Sequence, residues 1–322
     1  MVPQVYFYET FEEELAQLRE KLPPTIKFDS TPGTVQESGD LHPPAKIISI
    51  RTQSVVPPHW SKHLEAVLSR STGYDHLSAL RQATNRPMLG YLPLYCNRAV
   101  AEHALMLWTA LARHLPRQVE NFRTFQRDGL TGMENAGKVL LVVGVGHIGY
   151  QIVRIGRGLE MRVLGVDIIR RHADVEYTDI DSGLRRADII VCAMNLTPEN
   201  HGYFNETRLR QTRQGVIFVN IARGEQSPST ELLRLMETGH LGGVGLDVYD
   251  AESQLAIALR QGTQCDNREV QATLALSRLP NVILTPHNAF NTREAVERKV
   301  QQSVEQLRRF FGTGRFIWEV PQ

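Results

Sequence analysis

The sequence predicts an α/β protein made of two doubly wound domains, and three observations lead to this prediction. From residue 139 onward, short apolar runs alternate with helix-like segments, a pattern typical of a parallel sheet covered by helices on both faces. Residues 1 to about 95 show the same alternation, with prolines between the segments. The chain has 322 residues, 42% of them hydrophobic, which suffices for two domains with cores of ordinary size.

The composition argues against several classes of protein. Lys and Arg number 36 against 35 Asp and Glu, so the formal charge of +1 gives no sign of a nucleic-acid or membrane surface. The N-terminal residues lack the basic-then-apolar pattern of a secretory signal, and no apolar run is long enough to cross a bilayer. Cys96, Cys192 and Cys265 are far apart, without the spacing of a metal site. We therefore expect a reduced, cytoplasmic protein without a bound metal.

The first part of the chain contains both strand-like and helix-like segments. We predict strands over residues 4–8, 25–28 and 46–50, and helices over residues 11–21 and 61–68. A loop follows that contains Ser71, Thr72 and Gly73. Such a turn after a short apolar segment exposes successive backbone amides, which can bind a carboxylate. A plain loop is the alternative interpretation of this stretch.

The second part begins with a helix over residues 98–115 that is apolar nearly all round and is therefore expected to be buried. We predict six strands after it, the number in a complete doubly wound sheet: residues 139–143, 162–166, 188–192, 216–220, 243–248 and 282–285. An amphipathic helix over residues 293–311 and an apolar tail over residues 316–320 follow. We expect the tail to rejoin the first domain. The first domain then comprises residues 1–98 and 293–322, and the second comprises residues 99–292.

A glycine motif lies between two of these strands. Gly144, Gly146 and Gly149, with His147 and Ile148 among them, follow the strand at residues 139–143, and Asp167 ends the next strand. The three glycines allow a tight turn, a close approach of the backbone to a pyrophosphate, and close packing of helix and strand, respectively. An ordinary βαβ turn without a ligand is the alternative. The motif favours a Rossmann domain that binds a dinucleotide. We expect the other, discontinuous domain to be flavodoxin-like and to bind the substrate.

Asp167 bears on which dinucleotide is bound. Its carboxylate is placed to accept hydrogen bonds from ribose hydroxyls and would repel a 2′-phosphate, which favours NAD over NADP. Arg170 and Arg171 lie close to it in the sequence and could soften this preference.

Three ionisable side chains follow the last three predicted strands. Arg223, Glu252 and His287 come after the fourth, fifth and sixth of them, and ligands bind at the carboxyl ends of strands in such a sheet. Together they suit hydride transfer to a keto acid: His supplies a proton near neutral pH, a carboxylate orients the imidazole, and Arg grips the substrate carboxylate. Taken singly, they could be a surface cation, a solvated charge and a helix cap.

With these residues assembled, the chain resembles the D-isomer-specific 2-hydroxyacid dehydrogenase family over nearly its full length, and within it the D-lactate dehydrogenases. The matching stretches, by number, are residues 71–76, 100–103, 144–149, 196–200, 219–224, 245–249 and 285–287. The sequence departs from the family pattern at Asn195, where Pro is usual, and at Ser253, where many members have Pro.

The resemblance implies roles for individual residues. It implies catalysis by Arg223, Glu252 and His287. It implies that substrate is bound by the amides of Ser71, Thr72 and Gly73 and that Tyr95 lies nearby. It also implies that NAD contacts the glycine motif, Asp167, Asn195, Thr197, Ala222 and Asp247, and that the protein is a homodimer built mainly through the nucleotide domain.

The activity that the resemblance implies is NAD-dependent reduction of a small 2-keto acid, with pyruvate as first choice, to the D-2-hydroxy acid. Two alternatives stay open. One is a non-catalytic protein that senses NAD(H) on the same fold, and the other is oxidation of phosphite or formate. Glu252 argues against the formate branch, where a Gln is expected beside the His.

Overall fold

The computed structural model describes residues 2–83 and 86–321, and the chain divides into two compact units. Unit 1 comprises Met1–Cys96 and Asn291–Gln322, and unit 2 comprises Asn97–Phe290. The divisions fall after residues 96 and 290, whereas the sequence places the domain boundaries after residues 98 and 292. We propose that each unit is a domain.

The strands of the described residues, numbered along the chain, are β1 (Val5–Phe7), β2 (Phe28–Ser30), β3 (Ile47–Ile50), β4 (Ala66–Ser69), β5 (Met88–Gly90), β6 (Val139–Val143), β7 (Arg162–Val166), β8 (Glu176–Tyr177), β9 (Ile189–Cys192), β10 (Val216–Asn220), β11 (Leu241–Leu246) and β12 (Val282–Leu284).

The helices are α1 (Glu12–Lys21), α2 (Val35–Ser38), α3 (Ser78–Ala83), α4 (Asn97–Ala112), α5 (Leu115–Asn121), α6 (His147–Gly158), α7 (Ile180–Arg186), α8 (Glu206–Leu209), α9 (Ser229–Glu237), α10 (Glu252–Gln261), α11 (Arg268–Leu276) and α12 (Arg293–Thr313). Among the residues that the structure describes, no helix is both long and apolar enough to cross a lipid bilayer.

Unit 1 is built on a five-stranded parallel sheet in the order β2-β1-β3-β4-β5, the flavodoxin-like arrangement. The predicted helix over residues 61–68 is wrong: a 3₁₀ turn at Pro58–Lys62 is followed by the strand β4. Ala66, Val67 and Leu68 are all fully buried in the middle of the sheet. A short, continuously apolar run of this kind does not distinguish a strand from a buried helix by its periodicity.

The C-terminal segment, from Asn291 onward, belongs to unit 1. The side chain of Thr292 accepts a hydrogen bond from the Ala295 amide and so caps α12, which ends at Gly314 in the left-handed conformation (φ 73°). The tail then pairs with β5, because the Val320 amide donates to the Leu89 carbonyl at 2.9 Å. The Phe316 ring packs against Gly90, where a Cβ atom would lie 2.6 Å from it. The tail therefore closes the edge of the sheet.

Unit 2 is built on a seven-stranded parallel sheet in the order β12-β11-β10-β9-β6-β7-β8. Counted within the unit this is 3-2-1-4-5-6-7, which extends the usual doubly wound order by one strand. The prediction of six strands missed β8, which has two residues, of which Glu176 is exposed and Tyr177 half-buried. The order reverses between β6 and β9, so the loops after these two strands flank the crevice where such sheets bind ligands.

Helix α4 packs against β10, β11 and α6 within unit 2. The predicted helix over residues 98–115 is too long at its C-terminal end. The chain leaves the helix after Ala112, His114 adopts a left-handed conformation (φ 50°), and Pro116 lies in the first turn of α5. Trp108 and Leu111 are fully buried, as expected of an apolar helix. Cys192 is also fully buried at the end of β9, and burial raises the pKa of its thiol to about 12.

Three charged side chains are buried together in unit 1. Glu14 of α1 contacts Arg70 Nε at 2.8 Å and Lys299 Nζ at 3.0 Å, and all three side chains have no exposed surface. Burial alone would raise the pKa of Glu14. The positive charges of Arg70 and Lys299 more than offset this effect and lower the pKa to about 2. The carboxylate therefore joins α1, the end of β4 and α12.

We expect Glu14→Gln to lower the free energy of unfolding by about 3–5 kcal/mol, because it leaves buried cations facing a neutral amide. The folded-state pKa of Glu14 lies below its ordinary value of 4.5. Its stabilising contribution is therefore present above that value and is lost as the pH falls toward about 2. Urea denaturation at neutral and acid pH measures both effects, and the variant should lack this part of the acid sensitivity.

The matched control is Glu65→Gln, which removes the carboxylate of an exposed ion pair with Lys46 at 2.8 Å. Solvent screens that pair, so the free energy of unfolding should hardly change. Equal losses of stability in the two variants would contradict a special role of the buried carboxylate.

Candidate active site

The glycine motif forms the turn from β6 into α6. Gly144 has φ 93°, and a Cβ atom there would lie 2.6 Å from the Ala193 carbonyl carbon. A Cβ atom on Gly149 would lie 1.9 Å from the Gly144 oxygen. Apart from Gly146 itself and its two neighbours in the chain, no described residue has a heavy atom within 4 Å of the position that a Cβ atom on Gly146 would take. The surrounding protein thus leaves no room for a side chain at Gly144 and Gly149, whereas there is free space at Gly146. Gly146 directly precedes α6, and the amides of the first turn of α6 have no partner within the helix.

Asp167 follows β7 and is held beside this turn. Its Oδ2 accepts a hydrogen bond from the Val145 amide at 2.6 Å, and its Oδ1 accepts one from the Ile169 amide at 2.8 Å. The carboxylate therefore has a fixed orientation next to the glycine motif. The Arg170 guanidinium lies 5.8 Å from the centre of the Tyr177 ring, a contact of cation–π type.

The loop after β9 contains Asn195 and Thr197. The Asn195 carbonyl accepts hydrogen bonds from Asn200 Nδ2 at 2.7 Å and from Gln226 Nε2 at 3.0 Å. Thr197 and Asn200 form a capping box that starts a 3₁₀ turn at Pro198–Asn200. The predicted cofactor residues of this loop therefore have a defined backbone.

Arg223 lies in the loop after β10, and Asn220 shapes that loop. The side chain of Asn220, fully buried, accepts from the Ala222 amide at 2.9 Å and donates to the Arg223 carbonyl at 2.8 Å. A Cβ atom on Gly224 would lie 1.8 Å from the Tyr249 carbonyl carbon. The loop after β10 therefore packs tightly on the loop after β11, which leads to Glu252.

Glu252 and His287 are in direct contact. Nδ1 of His287 lies 2.8 Å from Oε1 and 2.9 Å from Oε2 of Glu252, with 19% and 18% of the two side chains exposed. Glu252 begins α10 after Ala251, which is left-handed (φ 55°), and His287 is itself left-handed (φ 50°). Because Nδ1 faces the carboxylate, it is Nε2 that can exchange a proton with a substrate.

The loop that carries His287 is fixed by Asp247, of which 1% of the surface is exposed. Asp247 Oδ1 accepts hydrogen bonds from Thr285 Oγ1 at 2.6 Å and from the Asn288 amide at 2.8 Å. Its Oδ2 accepts one from the Ala289 amide at 2.8 Å. The family resemblance assigns Asp247 to the cofactor site, and in the structure its carboxylate contacts the loop that carries His287.

Sequence reasoning missed three polar residues that support this site: His103, Asn220 and Gln226. Gln226 is fully buried, and its Oε1 accepts a hydrogen bond from Cys192 Sγ at 3.2 Å. His103 Nε2 lies 2.9 Å from Thr285 Oγ1. The available signal was the one polar residue at the end of the apolar run of β10 for Asn220. For both Asn220 and His103 it was also their position in matching stretches, residues 219–224 and 100–103, to which no individual role was assigned.

The four predicted substrate residues lie in unit 1. Ser71 Oγ donates to the Gly73 carbonyl at 2.7 Å, and Thr72 Oγ1 donates to the Leu92 carbonyl at 3.3 Å, so the loop after β4 has a defined shape. Tyr95 is almost completely buried, and burial raises the pKa of its hydroxyl well above the ordinary value. These contacts order the loop that the sequence assigns to the substrate carboxylate.

Comparison with known proteins identifies the family. The family model described as the D-isomer specific 2-hydroxyacid dehydrogenase, NAD binding domain, matches residues 105–289. The chain is 33% identical to D-lactate dehydrogenase of Escherichia coli K12 over 222 residues, which cover 67% of each protein. It is 29% identical to glyoxylate reductase of Pyrococcus furiosus over 327 aligned positions, which cover 96% of this chain and 88% of that one.

A solved structure agrees with these relatives. D-Lactate dehydrogenase from Aquifex aeolicus, complexed with NAD and lactic acid, matches 99% of this chain and 100% of its own with a TM-score of 0.86 and 25% identity. The predicted fold class and family resemblance are thereby confirmed. The chain belongs to the D-isomer-specific 2-hydroxyacid dehydrogenase family and is an NAD-dependent oxidoreductase of that family.

Proposed function

We propose that this protein reduces a small 2-keto acid, with pyruvate as first choice, to the D-2-hydroxy acid. The observation that carries the proposal is the contact of His287 Nδ1 with both oxygens of Glu252, at 2.8 and 2.9 Å. It leaves Nε2 to act on the substrate. The choice of pyruvate draws support from the names of two relatives, the D-lactate dehydrogenases of Escherichia coli and Aquifex aeolicus, the second of which holds lactic acid.

The chain would carry out the reaction with three side chains of unit 2. The reduction needs a hydride, which the nicotinamide of NADH supplies when it is bound. Nε2 of His287 gives its proton to the oxygen of the keto group, while Glu252 orients the imidazole and stabilises its charged form. Arg223 grips the substrate carboxylate and polarises the carbonyl.

The glycine motif fits a dinucleotide. The open position at Gly146 leaves room for the pyrophosphate, and the amides of His147 and Ile148 at the start of α6 can donate to it. Asp167 would accept hydrogen bonds from the ribose hydroxyls. Asn195, Thr197, Ala222 and Asp247 would complete the cofactor site, because they lie in or next to the loops that follow β9, β10 and β11.

We assign substrate recognition in unit 1 to the loop after β4. The amides of Ser71, Thr72 and Gly73 would donate to the substrate carboxylate, and Tyr95 would lie near the substrate. The ordered turn at this loop supports the assignment, since the Ser71 hydroxyl binds within the loop, at the Gly73 carbonyl.

We also propose a cytoplasmic homodimer formed mainly through unit 2. Support comes from an apolar surface on α4, α5 and the residues after them, where five large apolar side chains are 48–76% exposed: Met106, Leu115, Val119, Phe122 and Phe125. So many exposed apolar side chains within one short stretch are typical of an interface with another protein. A second copy of the chain would cover them.

His287→Gln should lower kcat/KM for pyruvate by about 10²–10⁴-fold, because Gln cannot act as a general acid. NADH binding should persist. The assay follows NADH oxidation with pyruvate and with longer 2-keto acids, and fluorescence titration measures NADH affinity. His59→Gln, at an exposed histidine of unit 1, is the control. Failure of the wild-type protein to reduce any 2-keto acid would refute the proposed activity.

Asp167→Ser should reduce the preference for NADH over NADPH by at least about tenfold, measured as the ratio of the kcat/KM values for the two cofactors. The reason is that the repulsion between the Asp167 carboxylate and the 2′-phosphate of NADPH is worth more than about 1.4 kcal/mol at short range. The control is Asp174→Ser, which removes an exposed carboxylate that pairs with Arg157 at 2.7 Å in the same unit. An unchanged ratio in Asp167→Ser would mean that this carboxylate does not meet the ribose.

The double variant Phe122→Asp and Phe125→Asp should convert the dimer to a monomer, because it puts two charges on the proposed interface. Sedimentation equilibrium measures the mass directly. Leu41→Asp, at a side chain of unit 1 that is 81% exposed, is the control and should leave the dimer intact. A wild-type protein that sediments as a monomer would rule out the interface.

A further inference from the structure

The turn at residues 287–289, called the His287 turn below, has a strained backbone that hydrogen bonds to Asp247 hold in place. His287 is left-handed (φ 50°), a conformation that costs a non-glycine residue of order 1–3 kcal/mol and persists only where the surroundings enforce it. The two amides that follow it, of Asn288 and Ala289, each donate to one oxygen of Asp247 at 2.8 Å. Asp247 therefore fixes the direction in which the imidazole leaves the backbone.

Two further side chains join Asp247 to helix α4. Thr285 Oγ1 lies 2.6 Å from Asp247 Oδ1, and His103 Nε2 lies 2.9 Å from Thr285 Oγ1. His103 Nε2 is also 3.6 Å from Asp247 Oδ1, and the His103 side chain is 14% exposed. A continuous polar chain thus runs from α4 to the turn that carries His287.

The chemistry of the groups fixes the direction of each hydrogen bond in this chain. A carboxylate only accepts, so the single hydroxyl proton of Thr285 is directed at Asp247. Thr285 Oγ1 then accepts from His103, which must carry a proton on Nε2. Burial lowers the pKa of His103 and the charge of Asp247 offsets only part of this, so a neutral imidazole with its proton on Nε2 fits the arrangement.

We propose that His103 and Thr285 are positioning residues which, through Asp247, hold the His287 turn and thereby orient the proton donor toward the substrate. The inference rests on the proposed role of His287 and adds a second support to that of Glu252. Glu252 fixes the imidazole ring from its Nδ1 side, whereas the chain from α4 fixes the backbone that carries the ring.

The test compares three variants. His103→Leu removes the donor to Thr285, and His103→Gln keeps an amide that can donate to the same oxygen. Leu107→Ala is the control for lost packing on α4, since Leu107 is fully buried against Gly245. Each is assayed for NADH-dependent reduction of pyruvate and of longer 2-keto acids, and the exchange of the Asn288 and Ala289 amides with deuterium is measured in the cofactor-free protein.

We expect His103→Leu to lower kcat about ten- to a hundredfold, the scale of effect seen when a reacting group is displaced by a fraction of an ångström to an ångström. KM and the affinity for NADH should stay within about twofold, because only the reacting group moves. The two amides should exchange faster. His103→Gln should recover most of kcat and of the protection, and Leu107→Ala should lower stability while preserving both.

An unchanged kcat with unchanged exchange in His103→Leu would overturn the proposal, as would equal losses in His103→Leu and Leu107→Ala. Failure of the proposed activity gives a different result. The wild-type protein would then reduce none of the keto acids, while the exchange of the two amides would still show whether His103 holds the turn.

Discussion

The contact between Glu252 and His287 is the interaction on which the rest of the candidate site depends. It exists because two neighbouring loops both place a residue in the left-handed region, Ala251 before the carboxylate and His287 itself. Neither residue is a glycine, so both conformations cost free energy that surrounding contacts must offset. Hydrogen bonds to the buried carboxylate of Asp247, which are stronger than those between neutral groups, supply part of that compensation.

The topology of unit 2 explains why residues so distant in sequence converge. β10, β11 and β12 are consecutive neighbours in a parallel sheet, so the loops that follow them leave from the same edge. Arg223, Glu252 and His287 lie in or follow these three loops. Gly224 shows how closely the loops pack, since any Cβ atom there would overlap the backbone at Tyr249. Gly224, the residue after Arg223, therefore allows the loop after β10 to pack against the loop that leads to Glu252.

Sequence patterns predicted the buried parts of this fold and the charged residues at the strand ends, because both leave simple signals. A run such as Val139–Val143 is apolar throughout, and an ionisable side chain in the loop that follows such a run stands out. The strand Glu176–Tyr177 has no apolar run, and Ala66–Ser69 reads equally well as a helix, so local pattern failed at both. His103 received no role because its partner, Thr285, lies 182 positions further along the chain. The partners of Asn220, Ala222 and Arg223, are close in sequence, but a polar residue at the end of a strand does not by itself show that its side chain binds the loop that follows.

The two units carry different predicted site residues, and contacts within each unit order its own set. The contact of Glu252 with His287, the loop that carries Arg223 and the polar chain to α4 are all formed by residues of unit 2, whereas the Ser71–Gly73 loop is ordered by contacts within unit 1. The buried ion cluster of Glu14, Arg70 and Lys299 joins the segments of unit 1 that are far apart in sequence, including the returning helix α12. Substitutions in the loop after β4 can therefore alter the proposed recognition of a substrate while the contacts that hold His287, the proposed proton donor, persist. Such a separation would allow relatives to differ in substrate, as the names D-lactate dehydrogenase and glyoxylate reductase of two of them indicate.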